Sequence, residues 1–99
     1  LNVAGGLRIG EPAADLAAAA ALCSSLFDKP LPKTAVVFGE VALSGAVRPV
    51  NQTDARLKEA QKLGFSGALA PAGAKAPGLD IVNAETLGDL IDWVRRQGG

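Results

Sequence analysis

The sequence of 99 residues contains no histidine and a single cysteine, Cys23. Without histidine, nucleophilic systems of the Ser-His-Asp and Cys-His type are excluded, and one cysteine cannot build a structural zinc cluster. One cysteine also leaves no internal disulfide, which with the absence of an export signal favours a reducing, cytoplasmic setting. Methionine is absent as well, and because the chain starts at Leu1 we expect it to be a fragment of a longer polypeptide.

Neither sign of charge is in excess, since 10 Lys and Arg residues balance 10 Asp and Glu residues. No global field draws the chain to nucleic acid or to a membrane, and any such binding must come from a local patch. The longest apolar run lies within residues 12–27 and is mostly alanine, so it is too short and too weakly hydrophobic to span a bilayer. With 48% hydrophobic residues, residues 1–99 are long enough for one domain with its own core.

Glycine-rich phosphate-binding motifs are also missing. No G-x-x-x-x-G-K-[ST] loop occurs, so this chain cannot hold ATP in the P-loop manner. The Gly5-Gly6 pair lacks the correctly spaced third glycine of a dinucleotide-binding fingerprint.

Hydrophobic periodicity predicts the elements of the first half of the chain. Residues 1–9 are typical of a strand bent at Gly5-Gly6. Pro12 suits the first position of a helix, and the buried stripe of that helix is predicted to be Leu16, Ala20, Cys23 and Phe27. "AVVFGEVAL" predicts one central strand over residues 35–43, which Ser44-Gly45 turns into "AVRPV" to form a hairpin.

The next helix is predicted within "NQTDARLKEAQKLG". Asn51 or Thr53 is expected to cap its start and Gly64 to stop it. Its apolar seam is predicted to be Leu57, Ala60 and Leu63.

Two short strands are predicted over residues 66–72 and 78–84, and a last helix is predicted to begin near Asn83. Its core face is expected to be Leu87, Leu90, Ile91 and Val94, with Trp93 beside that face. Strands and helices that alternate around one hairpin favour an α/β fold in which helices pack on a mixed β-sheet.

The order of these segments resembles the proteolytic domain of the Lon protease family. The matching stretches are "GEPAADLAAAAAL", "FGEVALSGAVRPV" and "ARLKEAQKLGF", and the resemblance covers nearly the whole chain. It implies a Lon proteolytic-domain-like sandwich of helices on a mixed sheet. In that family a serine at the start of the first helix and a lysine at the start of the helix after the hairpin form a catalytic dyad. Ala13 and Asp54 stand at those positions here, so the resemblance implies that the dyad is lost.

The sequence is more specifically similar to the RadA (Sms) family of bacterial DNA repair and recombination proteins. "NVAGGLRIGEPAADLA", "FGEVALSGAVRPV" and "RLKEAQKLGF" carry this resemblance. It implies that residues 1–99 are the C-terminal, Lon-like domain of a longer ATPase and have no peptidase activity. A zinc motif and a RecA-like ATPase precede this domain in the family, so ATP, Mg and Zn are expected only in other domains of the parent. The parent is expected to drive branch migration of recombination intermediates as a hexameric ring.

Basic residues on the hairpin and the following helix are the candidate DNA contacts: Arg48, Arg56, Lys58 and Lys62. Lys58 and Lys62 are four positions apart and share a helix face, which is either a phosphate-binding surface or a solvated face paired with nearby carboxylates. In the RadA family the Lon-like domain contributes to DNA binding, and this favours phosphate contacts at Arg48, Arg56 and Lys58. Because the domain is neutral, we expect weak binding of single-stranded or branched DNA alone and stronger binding in a ring that repeats the patch.

A rival hypothesis from another class is an active Ser/Lys peptidase. It would need Ser24 or Ser25 with Lys29 or Lys33, although serines inside a helix usually bond back to the preceding turn. Cys23 lies in the apolar stripe of its helix and is expected to be a small buried hydrophobe.

Two further interpretations concern the last helix and assembly. Trp93, Arg95 and Arg96 are either a platform on which bases stack or part of a core or interface. The chain is alternatively a pure assembly module that makes no DNA contact.

Overall fold

The first helix begins in a tight 3-10 turn led by a proline. In the computed structural model, which describes residues 11–97, this turn spans Pro12–Ala14 and helix α1 spans Asp15–Phe27. Proline fits the first position because its missing N–H would have no partner inside the helix. The strand predicted over residues 1–9, with its bend at Gly5-Gly6, lies outside the described residues.

The buried stripe of α1 follows the prediction in its first half. Leu16 and Ala20 have no exposed surface, whereas Cys23 and Phe27 are half-buried. The helix ends at Asp28, whose backbone is left-handed with φ 53° and whose N–H bonds to the carbonyls of the last turn. The predicted stripe is therefore confirmed near the start of α1 and only partly covered near its end.

The central strand predicted over residues 35–43 is wrong as a single element. It is divided into β1, Ala35–Val37, and β2, Glu40–Val41, which belong to different sheets. The chain changes direction at Gly39, where φ is 156°, a value that L side chains rarely adopt. The predicted hairpin is present, because β2 pairs antiparallel with β3, Val47–Arg48.

Helix α2 spans Thr53–Lys62, but neither predicted cap bonds its first turn. The N-cap residue is Gln52, with a left-handed φ of 57° and no side-chain cap bond. The Thr53 hydroxyl instead donates to the Val50 carbonyl at 3.0 Å. The cap prediction is therefore wrong, because the chain turns into the helix through its backbone geometry and leaves both side chains to other partners.

The apolar seam of α2 is shorter than predicted. Leu57 and Ala60 are buried, but Leu63 is 61% exposed because it lies at the C-cap, beyond the last residue that faces the sheet. Gly64 follows with φ 93°, and the Phe65 N–H returns to the Ala60 carbonyl. The predicted stop at Gly64 is confirmed.

Strands β4, Gly67–Pro71, and β5, Asp80–Ala84, complete a three-stranded parallel sheet. Its order is β1-β4-β5, so β4 lies in the centre of the sheet. Parallel and antiparallel pairing both occur, as the prediction of a mixed sheet required, but they occur in two separate sheets.

Helix α3 spans Leu87–Arg95 and begins later than predicted. Asn83 belongs to β5, and its side-chain amide donates to the Pro71 carbonyl at 2.9 Å. The start of the helix is fixed by a capping box in which Thr86 and Asp89 each bond the other's backbone N–H. Trp93 is only 6% exposed, so it lies in the core and not beside it.

Two hydrophobic clusters cover opposite faces of the parallel sheet, because successive side chains of a strand point to opposite sides. Val36 and Ala68 pack with α2 on one face, whereas Val37 and Leu69 pack with α1 and α3 on the other. The described part of the chain is thus a three-layer α/β sandwich.

None of the helices between residues 11 and 97 is long and apolar enough to cross a membrane.

All three helices run antiparallel to the parallel strands. The start of α1 bonds to Gly39, just beyond the end of β1. Helix α2 ends five residues before the first residue of β4, and α3 begins three residues after the last residue of β5. The amino ends of the helices therefore lie at the edge where the strands finish, and their carboxyl ends lie at the edge where the strands begin.

Replacement of Gly39 by alanine tests the junction between β1 and β2. A Cβ at Gly39 would lie 3.2 Å from both Leu16 Cδ2 and Val47 Cγ1, in a backbone conformation that favours glycine. We expect Gly39→Ala to lower the free energy of unfolding by about 2–4 kcal/mol, from strain and tight contacts together. Urea denaturation followed by circular dichroism measures it.

Gly45→Ala is the matched control. Gly45 also has a positive φ, 90°, but nothing lies within 4 Å of an added Cβ. It therefore reports backbone strain alone, about 1–2 kcal/mol. Equal losses for the two variants would contradict the role of close packing at Gly39.

Candidate functional site

A cavity of about 410 Å³ opens where α1 and α2 begin. Its wall consists of residues from the first turn, from β2 and from the segment between β3 and α2: Glu11, Pro12, Ala13, Glu40, Pro49, Val50, Asn51 and Arg56. Two backbone hydrogen bonds hold the first turn against Gly39, just beyond the end of β1. The Gly39 N–H donates to the Ala13 carbonyl at 2.8 Å, and the Leu16 N–H donates to the Gly39 carbonyl at 2.9 Å.

Ala13 and Asp54, the positions that the Lon resemblance assigns to the dyad, differ in their surroundings. Ala13 is 4% exposed and lines the cavity. Asp54 lies in the first turn of α2, is exposed, and is not part of the cavity wall. A methyl group has no lone pair with which to attack a carbonyl, and a carboxylate is not the amine that such a dyad uses. The cavity thus offers no nucleophile at Ala13.

Arg56 is the cation of the cavity wall, and Asn51 holds its guanidinium in place. The Arg56 Nε donates to the Asn51 carbonyl at 3.1 Å, and Nη2 donates to Asn51 Oδ1 at 3.4 Å. Glu11 and Glu40 lie in the same wall. The Arg56 guanidinium is therefore positioned by one neighbour, and two carboxylate residues line the same cavity.

Asp15 ties the start of α1 to the hairpin. Its Oδ2 accepts a hydrogen bond from the Val41 N–H at 3.1 Å. The position of Asp15 in the first turn also places negative charge at the positive end of the helix dipole. Sequence reasoning found only the second role, because the strand that Asp15 reaches is 26 residues away along the chain.

The four predicted DNA contacts do not form one patch. Lys58 and Lys62 are exposed and lie one turn apart on the outer face of α2. Arg56 precedes Lys58 by two positions, which turns it about 200° around the helix, toward the cavity. Arg48 is exposed on β3, directly opposite Glu40 in the antiparallel ladder. The structure therefore groups Lys58 with Lys62, and Arg48 with Arg56 around Glu40.

Comparison with known proteins gives one consistent family. A family model described as subunit ChlI of Mg-chelatase matches residues 1–74. The DNA repair protein RadA of Brucella abortus is 49% identical over 102 residues, which are 99% of this chain and 22% of that protein. The RadA proteins of Escherichia coli and Aquifex aeolicus are 46% and 56% identical, over 92% and 93% of this chain and 21% of each relative.

The chain belongs to the ChlI-like family of RadA/Sms DNA repair proteins. It spans about a fifth of the length of these RadA relatives. The description of the family model names a magnesium chelatase, and that activity belongs to the protein so named. Within residues 11–97 of this RadA relative, no group of three or more His, Cys, Asp or Glu side chains is placed to hold a metal ion.

The other candidate residues of this RadA relative make contacts within the fold. The Ser24 hydroxyl donates to the backbone carbonyl of Lys29, and its partner is therefore not an amine. Trp93 is buried among α1 and α3, so it is not a platform on which bases could stack. The Arg95 guanidinium lies 5.4 Å from the centroid of the Phe27 ring, within the range of a cation–π interaction.

Removal of the Asp15 carboxylate tests the link between α1 and the hairpin. We expect Asp15→Ala to lower the free energy of unfolding by about 1–2 kcal/mol, because the partly buried Val41 N–H loses its acceptor. Asp54→Ala is the control, since Asp54 is also an acid in the first turn of a helix but is exposed. That variant loses only the dipole interaction, about 0.5 kcal/mol. Similar losses in thermal or urea denaturation would show that Asp15 acts through the dipole alone.

Proposed function

We propose that this chain is the non-catalytic, Lon-like C-terminal domain of a RadA-type DNA repair ATPase. Its role is to hold subunits in a hexameric ring and to offer basic side chains to DNA during the processing and branch migration of recombination intermediates. The observation that carries the proposal is the 49% identity to a RadA protein across nearly the whole chain, with Ala13 at the cavity where the Lon resemblance expects a serine. In the parent, the binding of ATP, Mg and Zn belongs to other domains. A cytoplasmic location is part of the proposal, because the recombination intermediates on which the parent acts are DNA.

The absence of peptidase activity rests on the chemistry of the cavity. The Lon-type reaction needs a hydroxyl that a neutral amine can deprotonate. Ala13 supplies no hydroxyl and Asp54 no amine. Backbone hydrogen bonds hold the turn that contains Ala13, and we therefore regard the cavity as inherited structure.

A peptidase assay tests this part of the proposal. We expect no cleavage of casein or of short peptides above the buffer rate. Ala13→Ser should also remain inactive, because the new hydroxyl would still have no neutral amine beside it. Turnover by the unmodified chain that disappears on Ser24→Ala or Lys29→Ala would instead favour the active peptidase hypothesis.

The scaffold role is supported by an exposed apolar face on α1. Leu22 and Leu26 are one turn apart and are 73% and 78% exposed. The helix carries no charged residue between Asp15 and Asp28. Large exposed apolar surfaces of this kind are typical of sites that another protein surface covers. A chain that only assembles and never touches DNA is the alternative, and light scattering combined with DNA binding on the same preparation separates the two.

The DNA-binding role rests on the RadA relatives and on the four basic residues identified in the sequence. Lys58 and Lys62 on the outer face of α2 are exposed and can contact phosphates. Arg48 and Arg56 lie near Glu40, whose carboxylate repels a phosphate. Each phosphate that a cation neutralises releases counterions, so binding should weaken as salt increases. In a ring, the same residues recur once in each subunit and their weak contacts act together.

Two double variants with the same change in net charge test these contacts. Lys58→Ala/Lys62→Ala and Arg48→Ala/Arg56→Ala should each weaken binding of a labelled oligonucleotide in fluorescence anisotropy. The salt dependence of log K should flatten by about one unit for each phosphate that is no longer neutralised. We expect the lysine pair to have the larger effect because no carboxylate of the cavity stands beside it. Unchanged affinity in both variants would refute these four residues as contacts.

A further inference from the structure

Charge is unevenly distributed along the helix axes of this neutral chain. At the end where the helices begin, acidic side chains predominate: Glu11, Asp15, Glu40, Asp54, Glu85 and Asp89. Arg48 and Arg56 also lie there, and Glu40 faces the first in the ladder and shares the cavity wall with the second. This acidic end is therefore a less favourable surface for a polyanion than a surface on which cations predominate.

Basic side chains outnumber acidic ones at the opposite end, where the helices finish and the parallel strands begin; Asp28 at the C-cap of α1 and Asp80 at the start of β5 are carboxylates at this end. We call this surface the basic end and define it by Lys29, Lys33, Lys62, Arg95 and Arg96. Lys62 is in the last turn of α2 and Arg95 in the last turn of α3. Lys29 and Lys33 lie in the segment between α1 and β1.

The basic end is one surface because α1 and α3 pack side by side and finish together. The Arg95 guanidinium lies 5.4 Å from the Phe27 ring centroid, which joins the last turns of the two helices. The segment after α1 then runs to Thr34, whose carbonyl accepts hydrogen bonds from the N–H groups of Ser66 and Gly67 at the start of β4. These contacts bring the ends of α1 and α3 to the edge of the sheet at which β4 begins.

A shallow cavity of about 380 Å³ lies within the basic end. Arg96, Gln97, Thr34 and Ser66 line it with groups that can donate hydrogen bonds. Asp80 lines it as well and is the carboxylate that opposes an anion there. Arg96 lines the cavity and is exposed, and Lys33 is exposed between the lining residues Pro32 and Thr34, so both can contact a ligand that extends beyond the cavity.

Helix dipoles explain some of these cations but not all of them. A basic residue in the last turn stabilises the partial negative charge at the carboxyl end of a helix, and Lys62 and Arg95 are so placed. Lys33 lies six residues beyond the end of α1, outside the range over which a helix end acts. Arg96 is the C-cap residue of α3 and lines the cavity.

We infer that the basic end is a DNA phosphate-binding surface, with Lys33 and Arg96 as its exposed contacts across the cavity. The inference rests on the proposed DNA-binding function and extends it to a surface that the four residues near the hairpin do not define. Lys62 is common to both sets, so the outer face of α2 leads onto the basic end. A sugar-phosphate backbone is the class of ligand that fits, because the surface offers several cations and hydroxyl donors, whereas its aromatic rings are covered: Arg95 lies over the half-buried Phe27 ring, and Trp93 is 6% exposed.

Neutralising one carboxylate at each end gives a sharp test, since both changes alter the net charge equally. Asp80→Asn removes the anion beside Arg96, and Glu40→Gln removes the anion beside Arg48 and Arg56. In fluorescence anisotropy at low salt, Asp80→Asn should strengthen oligonucleotide binding several-fold, and Glu40→Gln should strengthen it by a smaller factor, because other carboxylates remain at the acidic end. The opposite order would overturn the inference.

Loss-of-function variants complete the test and separate it from the wider proposal. Lys33→Ala/Arg96→Ala should weaken binding and flatten the salt dependence of log K by about two units, one for each phosphate contact. If this pair binds as the unmodified chain does while Lys58→Ala or Arg48→Ala/Arg56→Ala binds more weakly, the basic end is wrong and the proposed function stands. If the unmodified chain binds no oligonucleotide at low salt, both fail.

A second copy of the chain is the other ligand that the charge distribution would fit, with its acidic end against the basic end. Light scattering of the same variants distinguishes this outcome from DNA binding. Lys33→Ala/Arg96→Ala should leave the molar mass unchanged. A fall in molar mass without a change in DNA affinity would assign the basic end to subunit assembly and overturn the inference.

Discussion

The structure depends on the backbone junction at Gly39. Its N–H and C=O both bond to the first turn of α1, so the start of the helix and the end of β1 are fixed to each other. The same residue turns the chain out of the parallel sheet and into the hairpin, which only a residue without a Cβ does at this φ and with these neighbours. The anchoring hydrogen bonds are made by backbone atoms and do not involve the side chain of Ala13, which packs in the hydrophobic cluster on the α2 face of the sheet. These two hydrogen bonds can therefore form whether that side chain is the methyl group of alanine or the hydroxymethyl group of serine.

The common direction of the helices gives the domain two chemically different ends. Each helix presents its amino end beside the hairpin and its carboxyl end beside the first residues of the parallel strands. Acids in first turns and cations in last turns stabilise each helix separately. When three helices point the same way, these local preferences add up to a separation of charge across the whole domain. A net charge of zero describes the sum and conceals that separation.

Local signals predicted much of the fold. Pro12 and Gly64 mark the ends of helices correctly, because proline and glycine act through the backbone conformation of their own positions. The boundary between β1 and β2 was missed, since the apolar run continues through it and the turn is required by contacts of Gly39 with residues distant in sequence. Thr86 and Asp89 form a capping box that could have been found from their spacing, and it would have corrected the start of α3.

The site was less accessible to sequence reasoning than the fold. The position of Ala13 at the start of the first helix followed from the resemblance, but its place in a cavity wall and the support of Arg56 by Asn51 did not, because Asn51 was expected to cap α2. Spacing along α2 correctly paired Lys58 with Lys62. It could not show that Arg56 faces acidic neighbours. The cations after α1 and at the end of α3 come together only through helix packing, which no local pattern encodes.

The burial of Trp93 has a spectroscopic consequence. It is the sole tryptophan, and the chain has no tyrosine, so intrinsic fluorescence excited at the red edge of the indole band arises from the layer formed by α1 and α3. The layer around Leu57 contains no indole ring among the described residues. Tryptophan emission therefore reports the separation of α1 and α3 from the sheet and does not report changes on the α2 face. Loosening of α2 is detected only by probes of backbone structure.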